Sequence, residues 1–104
     1  MNPTSVTIAL CDIPEGKTYV AAVGEREILV CRTKHGVYAV DNICTHAYAR
    51  LNEGRLRGTR LICPLHGASF DVRDGRVLGP PATIPLPTHT VKLIGDRIEI
   101  SVPT

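Results

Sequence analysis

The chain has 104 residues, a length that predicts a single domain over residues 1–104. Apolar residues make up 43% but aromatics only 4%, so the core must rest on Val, Ile, Leu and Ala, and stacking on single-stranded nucleic acid is not suggested. The net charge of +2 is too small for a nucleic-acid face, no apolar run approaches the ~20 residues of a membrane span, and the first residues lack the basic-then-apolar order of a signal peptide, so a cytoplasmic protein is expected.

Short β-type segments broken by turns follow in chain order. Residues 5–10 alternate around Val6, Ile8 and Leu10. Residues 18–23 are followed by the turn signal Gly24-Glu25, and residues 27–33 by His35-Gly36. Residues 36–41 alternate again through Val37, Tyr38, Ala39 and Val40. A short turn is expected somewhere in 47–56. Residues 69–72, 75–78, 90–94 and 97–102 have strand character, and the last two flank Gly95-Asp96 as a hairpin. Prolines at 80, 81, 85 and 87 exclude a central strand over 79–87, because each lacks a backbone donor. Some eight closely spaced strands predict an all-β, antiparallel sandwich or barrel.

Two motifs carry chemistry. One is Cys44-Thr45-His46. The other is Cys63-Pro64-Leu65-His66-Gly67, and sixteen residues separate His46 from Cys63. Each follows an apolar segment and is bounded by turn formers. Two loops at one end of a sheet would therefore each offer one thiolate and one imidazole, a donor set suited to iron–sulfur clusters or zinc. Two thiolates cancel the charge of a diferric two-sulfide core, whereas four leave it doubly negative. Adding an electron to a neutral centre costs less in a poorly solvated site, so Cys₂His₂ ligation raises the potential, to about −150 to +300 mV.

This order and spacing resembles the Rieske motif. Within that family the chain looks most like the small ferredoxins of bacterial ring-hydroxylating dioxygenase systems. The resemblance implies a Rieske-like antiparallel β-sandwich with a small cluster-binding part, about 42–82, made of two ligand loops and a Pro-containing loop. It implies one [2Fe–2S] cluster, with Cys44 and Cys63 on the inner iron and His46 and His66 on the outer. The Gly79-Pro80-Pro81 loop would cover the cluster. It also implies two partners: a flavin-containing NAD(P)H reductase as donor, and a terminal oxygenase with a Rieske centre and mononuclear iron as acceptor. A carrier that meets two partners in turn is expected to be monomeric and not itself an enzyme.

Departures from the family refine the expectation. Respiratory Rieske proteins carry an extra Cys in each ligand loop, and this chain has none there. They also place Ser and Tyr two and four residues after the second His, where this chain has Ala68 and Phe70. Fewer hydrogen bonds to the sulfurs stabilise the reduced state less, so a potential at the low end of the range is expected.

Competing readings are weaker. Zinc fingers put C-x-x-C before the histidines, unlike this order. A catalytic Cys–His pair needs an adjacent oxyanion site. A nitrite reductase small subunit shares the fold by resemblance. Cys11 and Cys31 read as small buried hydrophobes; His35 and His89 read as surface or turn residues. Tyr48 and Leu65 would line the cluster tip and meet partners, or simply pack. Arg50, Arg55, Arg57 and Arg60 stand against Glu53 alone, forming either a solvated connection or a face that steers an acidic partner.

Overall fold

The apolar alternation of the chain's two ends builds one sheet, and its middle builds another. A computed structural model describes residues 5–45, 48–65 and 67–102. The strands are β1 (Ser5–Ala9), β2 (Thr18–Val23), β3 (Arg26–Thr33), β4 (Gly36–Asp41), β5 (Arg55–Arg57), β6 (Arg60–Ile62), β7 (Ser69–Asp71), β8 (Val77–Gly79), β9 (Thr88–Ile94) and β10 (Arg97–Ser101). The larger sheet runs β1-β10-β9-β4-β3-β2, and the smaller runs β5-β6-β7-β8. All pairings are antiparallel. The all-β expectation holds.

The smaller sheet is an excursion from the larger one. The chain leaves β4 at Asp41 and returns in β9, where Val40 faces Thr88 and Ala39 faces His89. The Asp41 amide donates to the Pro87 carbonyl at 3.0 Å, closing the neck of the excursion.

β3 explains how the two halves are joined. Ile28, Leu29, Val30 and Cys31 are all buried, and successive side chains of a strand point to opposite faces. Ile28 and Val30 join Ile8, Ile13, Ile98 and Ile100 in the core of the larger sheet. Leu29 and Cys31 join Val40, Leu61 and Phe70 in the core beneath the smaller sheet. A strand buried on both faces reads as a continuous apolar run, which is what this segment shows. Phe70, the chain's one phenylalanine, is wholly buried there.

Two expectations need correction. Cys31 is buried, but Cys11 is exposed. It sits in a 3-10 turn, Leu10–Asp12, which breaks the two-residue period; Ile13 takes the core position and Cys11 faces solvent. His89 is buried rather than on the surface, with its Nε2 2.7 Å from Asp41 Oδ1. Its place opposite Ala39, an inward position of β4, carries it inside. The arginine-rich stretch forms the β5–β6 hairpin around Gly58, whose φ of +60° suits glycine, and Arg55 and Arg57 are solvent-exposed. The turn expected within 47–56 is the 3-10 turn Leu51–Glu53, and His35 is an exposed turn residue as read.

Candidate metal centre

Two loops with matching closing hydrogen bonds form the candidate centre. In the first, Ile43 pairs with Arg50, and the Cys44 amide donates to the Ala49 carbonyl at 2.9 Å. In the second, Ile62 pairs with Ser69, and the Cys63 amide donates to the Ala68 carbonyl at 2.7 Å. Each loop is thus a six-residue connection that opens on cysteine and closes on alanine. Both cysteines and both alanines are buried in one core with Leu51, Leu61 and Phe70. Small closing residues let the loops pack close together.

His46 and His66 fall within the same two loops by sequence, and both lie outside the described residues. The two cysteines can be placed. Their thiols lie against one another, and neither is in a disulfide. Burial pushes the Cys63 thiol above its ordinary pKa; the Leu65 amide, donating to its sulfur, pulls it down, and the neighbouring Cys44 thiol pushes it up again. Two thiols from separate loops, side by side in an apolar core, fit a two-thiolate metal centre. The Leu65 amide adds a donor of the kind that tunes such sulfurs.

Other elements hold the loops. Asn42, fully buried and two residues before Cys44, uses both ends of its amide. Its Nδ2 donates to Asn52 Oδ1 at 2.8 Å and to Glu27 Oε1 at 3.1 Å, and its Oδ1 accepts from the Asn52 amide at 2.9 Å. Arg50, at the far end of the loop, donates to the same Glu27 carboxylate. Hydrogen bonds from Arg50 and then Asn42 hold the Glu27 carboxyl below its usual range. Sequence reading missed Asn42, since a single polar residue at a strand end looks like any turn former. Behind the second loop, Gly54 is required by close approach: a Cβ there would strike the Ile62 carbonyl and crowd Pro64.

The Pro-containing segment closes over the first loop. Thr45 Oγ1 donates to the Ile84 carbonyl at 2.6 Å, while Ala82 and Leu86 enter the core that holds both cysteines. Around this end, Tyr48 is fully exposed, and Leu65 and Ile84 are also exposed.

The Rieske [2Fe–2S] domain family matches residues 5–90. The chain belongs to the Rieske [2Fe–2S] family. This Rieske chain is 40% identical over 95 residues, 91% of each chain, to the "Naphthalene 1,2-dioxygenase system, ferredoxin component" of Pseudomonas aeruginosa. It superposes on the ferredoxin of carbazole 1,9a-dioxygenase from Nocardioides aromaticivorans IC177 with a TM-score of 0.91 and 31% identity, covering 96% of this chain and 99% of that one. It also matches a chain in a complex of reduced oxygenase and oxidised ferredoxin of carbazole 1,9a-dioxygenase, with a TM-score of 0.89 and 30% identity over 96% and 94% of the two chains. It is a Rieske ferredoxin of the aromatic-ring dioxygenase type, an electron carrier rather than a catalyst, and its cofactor is one [2Fe–2S] cluster. Among the described residues no helix is long and apolar enough to cross a membrane.

Proposed function

We propose that this ferredoxin takes single electrons from a flavin-containing NAD(P)H reductase and passes them to the terminal oxygenase of an aromatic-ring dioxygenase system in the cytoplasm. The observation that carries the reading is the pair of matched loops whose cysteines meet in one apolar core. Cys44 and Cys63 would hold one iron, and His46 and His66 the other. The cluster supplies one-electron chemistry when bound. The chain's own residues do the rest. The buried cysteines, closed by their Ala49 and Ala68 bonds, keep the sulfur side dry and restrain its geometry, so that little reorganisation accompanies electron transfer. Apolar Tyr48, Leu65 and Ile84 offer a desolvating contact around the loop end, of the sort that transient partners bury.

The nitrite reductase small-subunit reading is weaker, because the relatives near 40% identity are dioxygenase ferredoxins. The deciding experiment is iron and acid-labile sulfide analysis of protein purified without air, with visible and EPR spectra before and after dithionite. Two irons and two sulfides per chain with a Rieske-type reduced signal are expected. Zinc, or no metal in carefully handled protein, would overturn the reading.

A further inference from the structure

Most arginines of this chain have partners inside it. Arg26 pairs with Asp41, Arg50 with Glu27, and Arg73 and Arg76 with Asp71, while Arg32 donates to the carbonyls of Leu10 and Ile13. The β5–β6 hairpin differs. Among the described residues Arg55 and Arg57 have no carboxylate partner, nor does Lys17 opposite them. Leu56 turns inward to the cysteine-bearing core, so the strand alternation sends Arg55 and Arg57 outward together, and both are exposed.

These cations line a surface groove of about 280 Å³ between residues 16–18 and 54–57. Arg57 also stands directly across from Arg60, and like charges facing across a strand pair are destabilising. Arg60 turns part of its guanidinium to Ser69 Oγ at 3.0 Å, which offers no charge. With Arg60 the patch carries four of the chain's twelve lysine and arginine side chains. At its head is Gly54, packed against Ile62 and Pro64, so the groove begins directly behind the second ligand loop. It is an edge as well, since β5 is the outermost strand of its sheet.

We propose that this groove receives a carboxylate-rich segment of the terminal oxygenase and so orients the ferredoxin's ligand loops on it, an inference that rests on the electron-carrier reading above. Unneutralised cations raise the encounter rate with an acidic face and favour one docking orientation. The four-strand sheet holds Arg55 and Arg57 at a fixed offset from Cys63, and the turn before β2 brings Lys17 opposite them. Exposed Tyr48, Leu65 and Ile84 would then supply the short-range contact once the charges have steered the approach.

The test uses the cluster-loaded chain, with the oxygenase and reductase of the naphthalene 1,2-dioxygenase system as probes. Lys17→Glu, Arg55→Glu and Arg57→Glu are combined in one variant. A charge-matched control combines Lys34→Glu, Lys92→Glu and Arg97→Glu, all exposed positions elsewhere. Stopped-flow transfer from reduced ferredoxin to oxygenase is followed from low to high salt. The wild-type rate should fall steeply with salt. The groove variant should lose at least tenfold at low salt and lose its salt dependence, with potential and EPR spectrum unchanged and the control losing far less. Equal losses in variant and control overturn the groove, as does a loss confined to the step from the reductase. A loaded wild type that delivers no electron to the oxygenase overturns the carrier reading itself, and the groove with it.

Discussion

Thr45 and Ile84, thirty-nine positions apart in sequence, are joined by a 2.6 Å hydrogen bond from the threonine hydroxyl to the isoleucine carbonyl. Thr45 sits directly after Cys44, so this bond ties the first ligand loop to the Pro-containing segment. Thr45→Val keeps the shape and removes the donor. Such a bond contributes about 1 kcal/mol, so cluster loss into a chelator, followed by visible absorbance, should quicken about fivefold. An unchanged rate would mean that Ala82 and Leu86 hold the segment by packing alone.

Ala68 and Phe70 are wholly buried beside the second cysteine, and neither side chain carries a hydrogen-bond donor. Ala68→Ser and Phe70→Tyr each introduce a hydroxyl there. A donor that favours the more negative reduced state by about 1.5 kcal/mol raises the potential by roughly 60 mV. Protein-film voltammetry should show each variant rising and the pair rising further. A flat or falling potential would sink the assignment of these positions as tuners of the sulfurs.

Gly54 has no room for a methyl group, since the Ile62 carbonyl occupies the place of its Cβ. Gly54→Ala should cost about 2 kcal/mol as an overpacking defect and lower Tm by about 10 °C. Because Pro64 is the next neighbour, the variant should also release its cluster faster than wild type. Thermal melts with unchanged Tm would show that the approach of these two segments relaxes freely.

Asp71 is buried and ion-paired with Arg73 at 2.8 Å and Arg76 at 3.4 Å. Hydrogen bonds from Arg73 lead, against burial, in holding its carboxyl down at about 2. A depressed carboxylate stabilises the fold above its unfolded pKa and loses that contribution as pH falls toward the folded value. The contribution is about 2 kcal/mol at most, since both guanidiniums are half-exposed and screened. Asp71→Asn should therefore be less stable than wild type at pH 7, and the gap should close between roughly pH 4 and 2. Denaturant midpoints of the two proteins across that range test this; a gap that stays constant with pH would show that the loss comes from packing instead of charge.

Much of the larger sheet was readable from periodicity. The segments 18–23 and 36–41 match β2 and β4 residue for residue, because a half-buried strand must alternate and its turns need Gly or Asp. The four-residue apolar run of β3 was legible as a strand, but not that its two faces serve two different cores. The β5–β6 hairpin went unread: its arginines masked the alternation of Leu56 and Leu61 around Gly58-Thr59, a signal that was there. His89 and Cys11 were misplaced for a related reason, since inward or outward direction follows from register, and register depends on the partner strand.

The candidate centre divides in the same way. Sequence alone supplied the proposed donor set and its pairing into C-x-H and C-x-x-H, because ligand chemistry resides in residue type and local spacing. It also determined that no extra cysteine could link the loops. Tertiary structure decided that the two loops close on matching backbone bonds, that Cys44 and Cys63 meet in one core, and that Asn42, Gly54 and Ile84 hold them. Those are contacts between residues ten to forty positions apart, and no local pattern encodes them. The same holds for the basic groove: Lys17 and the β5 arginines come together only when a turn of the larger sheet packs against the edge of the smaller one.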